Sequence, residues 1–157
     1  MKIIEKYIDK SKMISVYCIG TTCVPGDALG PIVGSMLKEK ENMTNINIIG
    51  DINKPLTYPK IQRIEENSNN IFVDSALGSK ENIGKVIINN GIIIPGNAVK
   101  KHNRKILNGI TIKAIIAEDK RSFKLNMIQL NRIKIRDIYP IAQFISENIY
   151  KTIVKYE

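Results

Sequence analysis

Two aspartates follow apolar runs of the sequence, at positions where α/β proteins commonly do chemistry. Asp27 comes after the apolar run 13–19 and a glycine-containing loop, and an amphipathic segment begins directly after it. Asp74 ends the apolar run 70–73. Because the carboxyl ends of parallel strands meet at one edge of a sheet, neighbouring strands would bring the two carboxylates together there. The sequence therefore predicts a paired-carboxylate site at Asp27 and Asp74.

Two carboxyl groups held close together are suited to general acid–base catalysis. They do not both ionise readily, so one keeps a proton and acts as an acid while the other acts as a base toward water. We expect Asp27 to be the base, because the amino end of the predicted helix favours an ionised carboxylate. We expect Asp74 to be less solvated and to share the proton. Such a pair can activate water against an amide carbonyl, and it can instead bind a divalent metal.

Nearby small and hydroxyl-bearing residues are candidates for binding substrate. We predict that Thr21, Thr22 and Ser75 orient water or substrate, and that Gly26 permits a backbone conformation that other residues resist. Gly30 is expected to allow close packing of helix on strand. The alternative is purely structural, because an aspartate at a helix start is usually a cap and one at a strand end usually belongs to a turn.

The predicted elements alternate between strand and helix in the first half of the chain. Strands are predicted at 13–19, 45–51, 71–74 and 110–117, one or two strands within 84–95 with a break near 89–91, and helices at 27–40, 59–66 and 139–156. The β-α-β-α-β opening implies parallel strands joined by right-handed crossovers. With helices on both faces, the expected fold is a three-layer α/β/α domain with a mostly parallel sheet, formed by residues 1–157.

The charge balance favours anionic partners. Lys and Arg number 24 against 15 Asp and Glu, which gives a net charge of +9. Nucleic acid is not the expected partner, because the positive charges are scattered and aromatic residues make up 6% of the chain. The densest basic cluster is Lys100–Lys105, which contains His102. We expect this cluster to steer an acidic substrate or partner toward the carboxylate pair.

The remaining features point to a cytoplasmic protein. Cys18 and Cys23 do not form a C-x-x-C motif, and Cys18 is expected in the core. The charged N-terminus lacks the pattern of a secretory signal, and no apolar run is as long as a membrane span. We expect reduced thiols and no membrane partner, and a homo-oligomer is left open.

Three segments carry a resemblance to a known family. Residues 27–31 (DALGP), 71–77 (IFVDSAL) and 91–99 (GIIIPGNAV) resemble, in the same order, motifs of the germination protease that degrades small acid-soluble spore proteins. The resemblance implies that Asp27 and Asp74 are the motif aspartates of an atypical aspartic-type hydrolysis, and that Gly96 lies in a substrate-binding segment. This chain departs from that pattern at Gly26, where the family has proline, and at Ala98, where it has glycine.

The length and layout more closely resemble the YyaC-type sporulation proteins and, more distantly, the hydrogenase maturation endopeptidases. This resemblance implies a sporulation-associated peptidase of the cytoplasm or forespore that acts on a protein or peptide, such as a spore protein. Two alternatives are a non-catalytic binding or scaffold protein on the same fold, and a metal-dependent maturation endopeptidase. In the latter group equivalent acidic residues and a histidine bind nickel, which implies His102 here. We expect no metal and no cofactor, because the cationic cluster around His102 repels a divalent cation.

Overall fold

A computed structural model describes residues 2–41, 43–61, 64–65, 67–93 and 107–155. The helices and strands, in chain order, are α1 (Lys2–Glu5), β1 (Met13–Cys18), α2 (Leu29–Lys38), β2 (Ile46–Ile49), β3 (Ser68–Gly78), β4 (Val86–Ile93), β5 (Leu107–Glu118), α3 (Phe123–Arg132) and α4 (Ile135–Val154). Short 3-10 turns lie at Pro25–Asp27, Tyr58–Lys60 and Lys80–Asn82. None of the described helices is long and apolar enough to cross a membrane.

The strands form one five-stranded sheet with the order β2-β1-β3-β5-β4. All neighbours are parallel except β4, which runs antiparallel to β5 at one edge. The predicted α/β class and the mostly parallel sheet are therefore confirmed, and the first and third strands are neighbours, which was the condition for bringing the two aspartates together. Consecutive residues of a strand point to opposite faces of this sheet, which decides where each side chain of the site lies.

The main core lies on the face of the sheet that α2 and α4 cover. Ile71 and Val73 of β3 point to this face, which we call the helical face, together with Val16 of β1. The opposite face carries Phe72, whose ring stacks on Tyr17 with centroids 5.0 Å apart. We call it the loop face, because the described residues that cover it belong to the non-helical segment around Leu56 and Ile61.

Helix α2 lies in direct backbone contact with the ends of the first two strands. A Cβ atom at Gly30 would be 2.0 Å from the carbonyl oxygen of Ile19, and one at Gly34 would be 1.9 Å from that of Gly50. No side chain fits at either position, so the helix approaches the sheet as closely as its backbone permits. The expectation that Gly30 allows close packing is confirmed, and the contact fixes the loop that leads into α2.

Four sequence-based predictions of elements differ from the structure. The strand predicted at 71–74 extends over Ser68–Gly78, because β5 pairs with β3 as far as Gly78, so Asp74 lies within β3 and not at its end. The helix predicted at 59–66 is wrong: after the 3-10 turn the described residues are not helical, and Ile61 and Ile64 pack their side chains on the loop face. The break predicted near 89–91 is also wrong, because β4 continues through Gly91, whose positive φ of 146° is compatible with glycine. Helix α3 was not predicted; its apolar residues Phe123 and Leu125 are exposed and give a weak periodic signal.

Candidate active site

Asp27 belongs to the 3-10 turn before α2 and does not cap the helix. The N-cap residue of α2 is Ala28, which makes no side-chain capping bond, so the predicted capping role of Asp27 is wrong. Its carboxylate oxygen Oδ1 instead accepts a hydrogen bond from Ser75 Oγ at 3.1 Å. The backbone N–H of Thr21 donates to the Asp27 carbonyl at 3.0 Å, which closes the loop on itself. A turn and a strand thus hold Asp27 from two sides.

Asp74 lies on β3 and accepts a hydrogen bond from a residue that comes before that strand in the chain. Tyr58, in the second 3-10 turn, donates its hydroxyl to Asp74 Oδ2 at 2.6 Å. Asp74 is also paired in register with Lys113 on the neighbouring strand β5. The carboxyl group therefore has a neutral donor on one side and a cation on the next strand.

The two carboxyl groups approach β3 from opposite faces of the sheet. Asp74 follows Phe72 by two residues and so points to the loop face, from which Tyr58 reaches it. Ser75 follows Val73 by two and points to the helical face, where it contacts Asp27. The carboxyl groups are close enough that the charge of Asp27 raises the pKa of Asp74. Their hydroxyl donors, Tyr58 and Ser75, thus reach them from opposite faces of the strand.

Burial raises the pKa of both carboxyl groups. For Asp74 desolvation is the largest cause and the charge of Asp27 adds to it, which brings its pKa to about 7 against the opposing effects of Tyr58 and Lys113. For Asp27 desolvation raises the pKa to about 6, and hydrogen bonds from Ser75 and the Thr21 N–H oppose it. The expectation that a helix amino end lowers the pKa of Asp27 is wrong, because this carboxyl is partly buried and does not cap the helix.

At neutral pH the two carboxyl groups therefore differ in protonation: Asp27 is the more ionised and Asp74 the more protonated. With these pKa values Asp27 is mostly ionised at pH 7 and Asp74 is protonated about half of the time. Burial and the charge of Asp74 raise the pKa of Tyr58 above its usual range, so its hydroxyl remains a donor. The predicted roles of Asp27 as base and Asp74 as acid stay predictions, and the two groups titrate as a coupled pair.

Not all of the other predicted substrate-binding residues lie next to Asp27 and Asp74. Thr21 supports its own loop, since its Oγ1 accepts from the N–H of Cys23 at 3.2 Å, and Thr22 is exposed. Gly26 is buried against α3, where an added Cβ would be 3.0 Å from Leu130 Cα and closer to the leucine side chain. This packing explains the glycine without a ligand. Gly96 and the whole basic cluster with His102 lie outside the described residues, so their predicted roles stay predictions.

Tyr58 is the site residue that sequence reasoning missed. The segment was predicted as a helix that begins at Pro59, which leaves the tyrosine outside any functional pattern. Nothing in the sequence indicates that this turn lies over β3.

The described residues do not assemble a complete metal site. In the part of the chain that the structure describes, no three His, Cys, Asp or Glu side chains come together. Asp27 and Asp74 are two carboxylate ligands, and each accepts a hydrogen bond from a hydroxyl group on one of its oxygens. His102, which the resemblance implies as a third ligand, lies outside the described residues. The described residues alone do not complete a nickel site, and no step below passes through a metal.

The fold corresponds to that of a solved structure. The crystal structure of the NiFe hydrogenase maturation protease HycI from Thermococcus kodakarensis KOD1 superimposes with a TM-score of 0.53, covering 92% of this chain and 97% of that one. The two sequences are 19% identical, so the likeness concerns the fold. The chain thus has the α/β fold of a hydrogenase maturation protease.

The chain belongs to the family described as "Protein of unknown function (DUF1256)", whose model matches residues 1–148. A relative is the Bacillus subtilis (strain 168) protein named "Uncharacterized protein YyaC", 33% identical over 110 residues, which are 63% of this chain. The match spans about half of that relative's length, 53%. The expected relation to YyaC-type proteins is confirmed.

Proposed function

We propose that this protein is a peptidase that hydrolyses a peptide bond with Asp27 as the general base and Asp74 as the general acid. The observation that carries the proposal is the pair of half-buried carboxyl groups on and beside β3, each with its own hydroxyl donor and with pKa values of about 6 and 7. Catalytic acids and bases need pKa values near the working pH, and surface aspartates lie well below it. Both groups meet that requirement near neutral pH.

In the proposed reaction a water molecule attacks the carbonyl carbon of the substrate. Asp27 takes a proton from this water as its oxygen bonds to carbon, and protonated Asp74 stabilises the developing oxyanion and then gives its proton to the leaving amine nitrogen. The carbon–nitrogen bond breaks, and the proton on Asp27 returns to Asp74 or to solvent. Ser75 and Tyr58 orient the two carboxyl groups through their hydroxyl donors.

We further propose that the substrate is a protein of spore-forming bacteria. The resemblance of the segments around Asp27 and Asp74 to the germination protease supports this, as does the relation to a Bacillus subtilis protein. The net charge of +9 favours an acidic substrate.

Labelling of new protein N-termini tests the proposal. A protein extract from sporulating Bacillus subtilis is incubated with the wild type, with Asp74→Asn and with Asp119→Asn, and new N-termini are identified by mass spectrometry. Asp119 is an exposed aspartate hydrogen-bonded to Asn126 and serves as a matched control. We expect specific new termini with the wild type and Asp119→Asn and none with Asp74→Asn. Identical patterns from the wild type and Asp74→Asn would favour the non-catalytic binding protein instead.

A further inference from the structure

Strand β3 extends past its neighbour β1 and leaves part of its edge without a partner strand. The pairing of β1 with β3 ends at Cys18 and Val73, whereas β5 accompanies β3 as far as Gly78. Residues 74–78 are therefore paired on one side only, as far as the described ranges of the chain show. Their side chains are partly exposed. An unpaired edge of this kind is a template for another extended chain.

The hydrogen bonds around the end of β1 show why the edge is free. The N–H of Ile19 still donates to the Val73 carbonyl at 2.8 Å. The N–H of the next residue, Gly20, donates at 2.9 Å to the carbonyl of Leu56, which lies outside β3. The chain therefore leaves β3 at Gly20, where a positive φ of 144° makes the turn. We call the edge of β3 beyond Val73, which pairs with no described strand on the β1 side, the gap; Ser75, the partner of Asp27, lies on it.

Strand alternation identifies the backbone groups that line this gap. Val73 directs its carbonyl to β1, so Ser75 and Leu77 direct their N–H and C=O groups to the same side. Gly78, by contrast, directs its carbonyl to the β5 side, where it accepts from the Asp119 N–H at 2.7 Å. The Ser75 carbonyl and both backbone groups of Leu77 therefore face a side on which no described strand pairs with them.

We propose that the substrate binds as an extended peptide that adds a strand to the free edge of β3 at residues 74–78. This proposal rests on the proposed function and specifies its substrate as an unfolded or flexible segment rather than a folded surface. Main-chain hydrogen bonds of this type are a recurring mode of peptide recognition. The amide planes of an added strand lie close to the plane of the sheet, because their N–H and C=O bonds point to the neighbouring strand.

This orientation matches the placement of the two carboxyl groups. Water attacks an amide carbonyl perpendicular to the amide plane, and therefore from one face of the sheet. Asp27 lies toward the helical face and Asp74 toward the loop face, so a peptide between them has a base on one side and an acid on the other. A peptide lying flat on either face would have only one carboxyl group next to its scissile bond.

A peptide selection provides the probe for this edge. A random peptide library is selected by mRNA display on immobilised Asp74→Asn protein, which retains the edge but lacks the proposed acid. The selected peptides are synthesised with a single N-methyl group at each position in turn, and their affinities are measured by fluorescence anisotropy. Methylation should weaken binding about tenfold at every second position, because alternate N–H groups of a strand face its partner.

Variants of Leu77 test the same edge from the protein side. Leu77→Pro removes the N–H that faces the gap and leaves the bonds to β5 in place, whereas Leu77→Ala shortens the side chain and keeps the N–H. We expect Leu77→Pro to weaken peptide binding about tenfold and clearly more than Leu77→Ala. The Leu77 amide should also become protected from hydrogen exchange in the complex. The N-methyl series decides the question if Leu77→Pro does not fold.

Each outcome separates this proposal from the proposed function. No selected peptide, or an N-methyl series without a period of two, would overturn binding along the edge. Cleavage of peptides whose N-methyl series shows no period of two would support the proposed peptidase activity and contradict binding along the edge of β3. An N-methyl series with a period of two, combined with no cleavage by the wild type, would support binding along the edge of β3 and contradict the proposed peptidase activity.

Discussion

At the scale of single residues, two hydroxyl groups determine how the carboxyl pair divides its protons. Tyr58 donates to Asp74 and Ser75 donates to Asp27, and each bond stabilises the ionised form of its acceptor against the effect of burial. Without these donors both pKa values would be higher still. Burial thus raises both pKa values toward neutrality, while the hydrogen bonds from the two hydroxyl groups keep the ionised forms accessible.

The stability of the protein should depend on pH through this pair. Both carboxyl groups have folded-state pKa values above the ordinary value of 3.8, so the folded protein binds more protons than the unfolded chain between about pH 4 and 7. Stability is therefore highest at the acid end of this window and falls as the pH rises through 6 and 7. We expect Asp74→Asn to raise the free energy of unfolding at pH 8 by on the order of 1–3 kcal/mol, with a clearly smaller gain at pH 5.

Urea denaturation at the two pH values measures this effect. Asp119→Asn is a control whose expected effect on stability has the opposite sign, because hydrogen bonds from Asn126 and the Arg121 N–H lower the pKa of Asp119. It should lower stability at both pH values or leave it unchanged. A loss of stability for Asp74→Asn at pH 8 would mean that this carboxylate is a structural partner and not a strained acid.

Tyr58 provides a second prediction, on the pH dependence of activity. Tyr58→Phe removes the donor that lowers the pKa of Asp74, so the protonated acid should persist to higher pH. On any peptide that the protein cleaves, we expect the wild type to be most active between pH 6 and 7 and the alkaline limb of kcat/KM to move upward in the variant. Tyr7→Phe, at an exposed tyrosine, is the matched control. An unmoved alkaline limb would exclude Asp74 as the acid.

At the scale of elements, the docking of α2 on the sheet determines where Asp27 lies. The helix follows Asp27 by two residues, and Gly30 and Gly34 bring its backbone onto the ends of β1 and β2. Gly26, one residue before Asp27, is packed on Leu130 of α3. The turn that carries the carboxylate is thus clamped between two helices and the sheet, although it forms only one 3-10 turn itself.

Gly34→Ala tests this docking. The added methyl group would meet the Gly50 carbonyl at 1.9 Å, a backbone atom that cannot move without the turn after β2. We expect a loss of roughly 2–4 kcal/mol in unfolding free energy, which exceeds the usual cost of overpacking because the obstacle is backbone. Glu39→Ala, at an exposed position beyond the same helix, should change stability by less than about 0.5 kcal/mol. Similar values for the two variants would contradict the close approach.

The parallel core of the fold could be predicted from the sequence, because its strands are short apolar runs. The runs that contain Val16 and Val73 are buried on both faces and stand out without any tertiary information. The segment around Ile61 and Ile64 misled the prediction, since two apolar residues three apart fit a helix as well as an irregular cover of the sheet. Asp27 and Asp74 were proposed because each comes directly or shortly after an apolar run, and the structure brings a hydroxyl donor to each of them. The contact of Tyr58 with Asp74 could not be found, since it depends on how a loop crosses the loop face.

At the scale of the whole molecule, the excess of positive charge bears on metal binding. The segment with His102 also contains Lys100, Lys101, Arg104 and Lys105, in a chain of net charge +9. A cationic field of this kind disfavours a divalent cation. We expect titration calorimetry with nickel and with zinc to detect no site of one metal per chain in the wild type. Tight binding that is lost in His102→Ala would contradict this and would favour a metal-dependent maturation endopeptidase.

The two cysteines differ in exposure, so labelling of their thiols can report when the structure around β1 opens. Cys18 is fully buried at the end of β1, and burial raises the pKa of its thiol to about 12, whereas Cys23 is exposed in the loop before Asp27. A thiol reagent therefore reaches Cys23 in the native protein and Cys18 only when β1 separates from the helices. Since β1 ends where the gap beside β3 begins, the labelling rate of Cys18 reports how often this end of the sheet comes apart. A ligand held along β3 would slow that reaction without touching either sulfur.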